Sequence, residues 1–171
     1  MSKLFPILLA AAGLIGFPAY AIMDKGTYKA AKDQIDATYK SDKAACASLT
    51  GNAGDVCKAE AEAKRRTASA EAEADYKNTP KARTMAIVAR ADAEYSVTRT
   101  RCNEVSGTEK TVCITKAKAA RVRAKADARA NQEVIRKRDA DYAIAVERCD
   151  SMRSDAKDRC LKKAKARLRK S

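Results

Sequence analysis

Six cysteines and no histidine frame the chemistry open to this 171-residue chain. The cysteines form three couples, Cys46 and Cys57, Cys102 and Cys113, Cys149 and Cys160, each enclosing ten residues. Thiols so placed could ligate a metal, exchange disulfides or cross-link the chain. Zinc sites and thiol oxidoreductases favour C-x-x-C spacing, which none of these couples has. Cross-linking is what remains, and of the many pairings open to six cysteines the common spacing recommends the one inside each couple. The lack of histidine removes Ser-His-Asp and Cys-His nucleophile systems. Carboxylates alternate with Lys and Arg at helical spacing, as from Asp139 to Arg148, the pattern of a solvated helix face. There is no glycine-rich phosphate loop. The expectation is a non-enzymatic protein with no catalytic residue, metal or cofactor.

The elements that place these thiols are written around them. A tyrosine stands seven residues before the first cysteine of each couple, at Tyr39, Tyr95 and Tyr142, and an acid three residues earlier, at Asp36, Asp92 and Asp139. An apolar residue follows that cysteine by three, at Leu49, Val105 and Met152. Three copies of this pattern make an internal repeat. Offsets of seven and three lie on one helical stripe, so each Tyr, Cys and following apolar residue is expected to be buried together as the repeat core. On an unbroken helix two cysteines eleven apart would be separated by about 16 Å, too far for a disulfide, so the chain must turn inside each couple. Thr50-Gly51-Asn52 and Ser106-Gly107-Thr108 supply such turns, with Asn52 and Thr108 as candidate caps of the following helices, and Ser154-Asp155 serves the third copy.

Ala, Lys, Arg and Glu favour helix, and beyond Tyr28 the only proline is Pro80, after the candidate cap Thr79. The expected class is all-α: elongated antiparallel helical hairpins, coiled-coil-like, in three disulfide-stapled repeats. The expected units are a leader at 1–21, a first hairpin at 22–79, a second at 80–134 and a third at 135–171. Helices are expected over about 24–49, 53–76, 80–105, 109–150 and from 155 onward. The sequence leaves open whether 109–150 bends near Asn131, and whether the hairpins form a bundle or a rod. Past residue 21 there are 20 Ile, Leu, Val and Met and five Tyr, with no Phe or Trp. The interfaces must therefore be thin and alanine-rich.

The first 21 residues combine Lys3, an apolar run from Leu4 to Phe17 and Ala19-Tyr20-Ala21, the pattern of a cleaved export signal. Cleavage is expected after Ala21, with the periplasm as destination. Charge is lopsided: residues 116–171 carry 19 Lys and Arg against 8 Asp and Glu, residues 22–115 only 16 against 14. Lys116, Lys118, Arg121, Arg123 and Lys125 form one candidate polyanion contact, and Lys162, Lys163, Lys165, Arg167, Arg169 and Lys170 another. The absence of interleaved aromatics argues against sequence-specific reading of nucleic acid.

The repeat, with its Asp-x-x-Tyr motif and the turn Gly51-Asn52-Ala53-Gly54-Asp55-Val56-Cys57, resembles a group of exported helical proteins of betaproteobacteria labelled cell envelope biogenesis or TolA-like. The resemblance covers most of the chain after the leader. It implies an envelope-associated helical protein, without the energy-transducing role of TolA itself. Three functions stay open: a helical spacer or scaffold contacting envelope polyanions or envelope proteins, a binding module for lipopolysaccharide, phospholipid head groups or nucleic acid, and a periplasmic stress chaperone. Alanine-rich stripes can pair within or between chains, so oligomeric state stays open too.

Overall fold

A computed structural model describes residues 23–168, so the expected leader and cleavage site lie outside the described residues, as do Arg169 and Lys170. Among the described residues the chain folds into five α-helices with no strand: α1 (Lys25–Ala45), α2 (Gly51–Lys77), α3 (Pro80–Arg101), α4 (Gly107–Asp150) and α5 (Ser154–Leu168). Asp24 caps α1 by accepting hydrogen bonds from the Gly26 and Thr27 amides. Thr79 caps α3 by accepting from the Ala82 amide at 3.1 Å, and Pro80, lacking an N–H, opens that helix. Between Glu109 and Asp150 there is no glycine or proline, and α4 runs unbroken through Asn131 for 44 residues, about 66 Å at 1.5 Å per residue. The boundary expected between 134 and 135 thus falls inside α4, and the second and third hairpins share one helix.

All six cysteines are joined as the spacing recommends, Cys46–Cys57, Cys102–Cys113 and Cys149–Cys160, with Cα atoms 5.6, 5.8 and 5.6 Å apart. Each bridge sits at a hairpin tip, where three positions six residues before the second cysteine have left-handed backbone. Gly51 (φ 60°) and Gly107 (φ 55°) take this conformation at little cost, whereas Ser154 (φ 48°) carries a Cβ into it.

Two expectations about the tips need correction. The helices after them begin at Gly51 and Gly107, earlier than Asn52 and Thr108 would cap them; the capping positions are Thr50 and Ser106, and neither makes a side-chain cap hydrogen bond. Asn52 instead lies in the first turn of α2, its amide buried and unpartnered. Leu49, Val105 and Met152 are not core residues but are 44%, 37% and 44% exposed. The stripe ends at each first cysteine because the helical repeat ends there. In the first two copies the chain tightens into a short 3-10 turn, Cys46–Ser48 or Cys102–Glu104, and then extends at Leu49 or Val105. Met152 lies in the connection between α4 and α5.

Extensive packing joins helices adjacent in sequence: α1 on α2, α2 on α3, α3 on α4 and α4 on α5. The N-terminal half of α4 lies against α3, where Arg121 and Lys125 reach Asp92, and its C-terminal half lies against α5, where Asp150 meets Lys157 at 3.1 Å. Buried side chains are small: Ala61, Ala72 and Ala74 of α2, Ala86, Ala91 and Ala93 of α3, Ala117 and Ala128 of α4. The largest fully buried ones are Cys46, Cys102 and Cys149. At the end of the first hairpin away from its disulfide, Tyr28 stacks on Tyr76 with ring centroids 4.5 Å apart, so that α1 is pinned to α2 at both ends.

Two stability changes follow. Replacing Cys102 and Cys113 together by alanine should lower the free energy of unfolding in urea by about 3 kcal/mol, from the loop-closure entropy returned to the unfolded chain; a loss well under 1 kcal/mol would mean the alanine interfaces hold the hairpin unaided. Ser154→Gly should raise stability by about 0.5–1 kcal/mol by relieving the left-handed serine, whereas no gain would show the strain to be absorbed locally.

Candidate functional site on the third hairpin

The three copies share a backbone but differ around the tyrosine. In the first, the Arg65 guanidinium carbon lies 5.1 Å from the centroid of the Tyr39 ring, and in the second Arg121 stands 5.1 Å from that of Tyr95. These arginines occupy the eighth position after the second cysteine, where the third copy has Leu168. Each arginine is also held by a carboxylate. Arg65 donates to both Glu62 oxygens, and the Arg121 Nε donates to Asp92, whose two oxygens lie 3.2 Å from the Lys125 ammonium. The hydrogen bond from Arg65 is the main cause holding the Glu62 carboxyl at about 2; burial opposes it and Arg66 adds to it. At Asp92 burial pushes the carboxyl up, but hydrogen bonds from Arg121 and Lys125 prevail and it lies below the ordinary carboxylate value. Tyr39, Tyr95 and Tyr142 are all half-buried at helix interfaces.

The candidate polyanion residues divide accordingly. Arg121 and Lys125 are paired across the α3–α4 interface, so their charge is already partnered. Lys116, Lys118 and Arg123 are exposed on α4, and Lys162, Lys163, Lys165 and Arg167 on α5.

Between the C-terminal half of α4 and α5 runs a groove of about 920 Å³, within the range of ligand pockets. Its apolar lining includes Val134, Tyr142, Ile144, Met152 and Leu168. Lys137, Arg138, Arg148, Lys163 and Arg167 bring positive charge to it, against Asp141 as the one carboxylate among the described lining residues. Arg138 donates to the neighbouring Asp139, yet its Nε is buried without an acceptor. Of the residues singled out from the sequence, the groove gathers Tyr142, Met152, Cys149, Cys160, Lys163 and Arg167. Val134, Ile144 and Arg148 were not singled out; the signal for them is the same repeat followed further upstream of each cysteine.

The Glu62 and Asp92 carboxyls are depressed in the folded state, so each contributes stability that is present above its unfolded value and lost as pH falls through its folded one. For Glu62 the window runs from about 4.5 down to about 2. Urea stability should decline across it, and Glu62→Gln should flatten the decline; an unchanged slope would place the acid sensitivity elsewhere. No family model, curated protein or solved structure matches this chain.

Proposed function

We propose that the protein is a non-catalytic scaffold of the cell envelope, a disulfide-stapled helical spacer that works in an exported, oxidising compartment and attaches through its basic C-terminal third to envelope polyanions. The observation that carries this reading is α4, an uninterrupted helix of 44 residues stapled to α3 near one end and to α5 near the other. A strut clamped in this way resists bending while leaving most of its surface free for contacts. Three disulfides favour an oxidising compartment, where such bridges persist. None of the described helices is long and apolar enough to cross a membrane. The export signal expected at 1–21 suits the periplasm.

Attachment rests on the exposed lysines of α4 and α5. Lys162, Lys163 and Lys165 are exposed within one turn of α5, and Lys116, Lys118 and Arg123 are exposed on α4. Such cations bind phosphate-rich surfaces by releasing counterions, an interaction without sequence preference that weakens steeply with salt.

The protein with its disulfides formed should bind phosphocellulose at low ionic strength and elute only as salt rises. The triple variant Lys162→Gln, Lys163→Gln and Lys165→Gln should elute at distinctly lower salt with an unchanged far-ultraviolet circular dichroism spectrum. Co-elution of the two proteins would remove α5 from the attachment surface, and failure of the parent to bind would remove the polyanion reading.

A further inference from the structure

Followed beyond the four motif positions, the repeat exposes one face of the first arm of each hairpin to comparison. Counting from the first cysteine, the equivalent residues are Ala31, Gln34, Thr38, Ser41 and Ala45 on α1; Ile87, Arg90, Glu94, Val97 and Arg101 on α3; and Val134, Lys137, Asp141, Ile144 and Arg148 on α4. On α1 the face is small or polar and no other described helix packs on it; Ser41 and Ala45 are exposed. On α3 it sets Ile87 and Val97 among the charged Arg90, Glu94 and Arg101, and α2 lies across it: Val97 is only 9% exposed, and Arg101 pairs with Glu60 of α2. On α4 the residues match those of α3 in kind, yet no helix among the described residues covers them. Val134 is 58% exposed, Ile144 is 50% exposed, and Arg148 forms no ion pair with the described residues.

We propose that this face of α4, with the adjoining groove of α5, docks a helix from a partner protein, alanine-rich and bearing carboxylates eleven residues apart, as α2 docks on α3. The dimensions come from the covered copy. Glu60 and Glu71 of α2 are eleven apart, as are Arg90 and Arg101 of α3, and Lys137 and Arg148 of α4 repeat that interval. Ala63, Thr67 and Ala68, small enough for close approach, share the α2–α3 groove with Arg90, Val97 and Arg101. Antiparallel to α4, a helix of this kind would set one carboxylate on Arg148 and the other on Lys137, covering Ile144 between them and Val134 one turn beyond Lys137.

Charge favours a partner over a second copy. Residues 116–171 hold 19 basic against 8 acidic residues, so pairing this region with itself would bring like charges together. The inference rests on the scaffold reading and names its docking surface. Its test turns on Ile144 and Arg148, whereas the attachment test turns on Lys162, Lys163 and Lys165, so failure of one is distinguishable from failure of the other.

The probe is a helix-stapled synthetic peptide of residues 58–77 of this chain, labelled for fluorescence anisotropy and titrated with the full protein, disulfides formed. Saturable binding is expected, weakened at least tenfold by Ile144→Glu and by Arg148→Glu. Both positions are exposed, so both variants should fold, which circular dichroism checks. A Glu60→Arg peptide should bind the Arg148→Glu protein better than it binds the parent and better than it binds a Lys118→Glu protein of the same net charge, a preference that non-specific charge attraction would not give. Absence of saturable binding overturns the proposal. Binding indifferent to both variants overturns it too, because the peptide would then be exchanging with α2 on α3. A dimer in sedimentation equilibrium that Ile144→Glu dissolves would make a second copy the occupant and equally end the partner-helix proposal.

Discussion

The fold depends on three covalent links because the interfaces they clamp bury very little. An alanine methyl removes only a small apolar area from water, at roughly 25 cal/mol per Å², while every residue it helps to order loses conformational entropy. Helices whose buried faces read Ala61, Ala72 and Ala74 or Ala86, Ala91 and Ala93 can approach closely but gain little from each contact. Closing a short loop in the unfolded chain supplies what those contacts lack. The geometry agrees: the most buried side chains are Cys46, Cys102 and Cys149, so the sulfur atoms occupy the space that Leu or Phe fills in a thicker core.

Around this constant clip the repeat varies, and the variation sets what each hairpin does. The second copy is internal: α2 covers its outer face, Arg121 locks Tyr95 and Asp92, and charge is neutralised across α3 and α4. The first copy is an end, with a small and polar outer face and a stacked tyrosine pair closing its far side. The third copy has the chemistry of an internal unit, yet no described helix lies on its outer face. Its valine, isoleucine and arginine repeat those of the covered hairpin, while leucine stands where the tyrosine-capping arginine would be. An array of this kind, in which each unit contacts its neighbours in sequence, is extended by adding a further unit against its open face.

The ion pairs play a different part from the disulfides. Most are exposed and within one helix, such as Lys29 with Asp33 and Lys77 with Glu73, where water screens them and they add little to stability. Those that cross between helices, Lys64 with Asp42, Arg101 with Glu60, Arg121 and Lys125 with Asp92, Lys157 with Asp150, fix register along interfaces whose alanines would tolerate sliding. Smooth small-residue surfaces have few knobs to resist translation, so charge pairing supplies specificity more than strength.

Helix as the default state, the breaks at Gly51, Pro80 and Gly107 and the pairing of each cysteine couple were legible from residue order alone, because propensity, capping and loop length are local properties. The thin alanine core followed equally from composition. Packing decided the rest. Leu49, Val105 and Met152 turned outward because the helix ends at or one residue past the cysteine before each, a geometric event that periodicity cannot register. Arg121 and Lys125, indistinguishable in sequence from Lys116 and Lys118, became interface residues because α3 brings Asp92 to them. The contrast between Val97 covered and Ile144 bare arose only once α2 had folded across one copy and left the other without a helix, since burial belongs to the assembled surface and not to the residue.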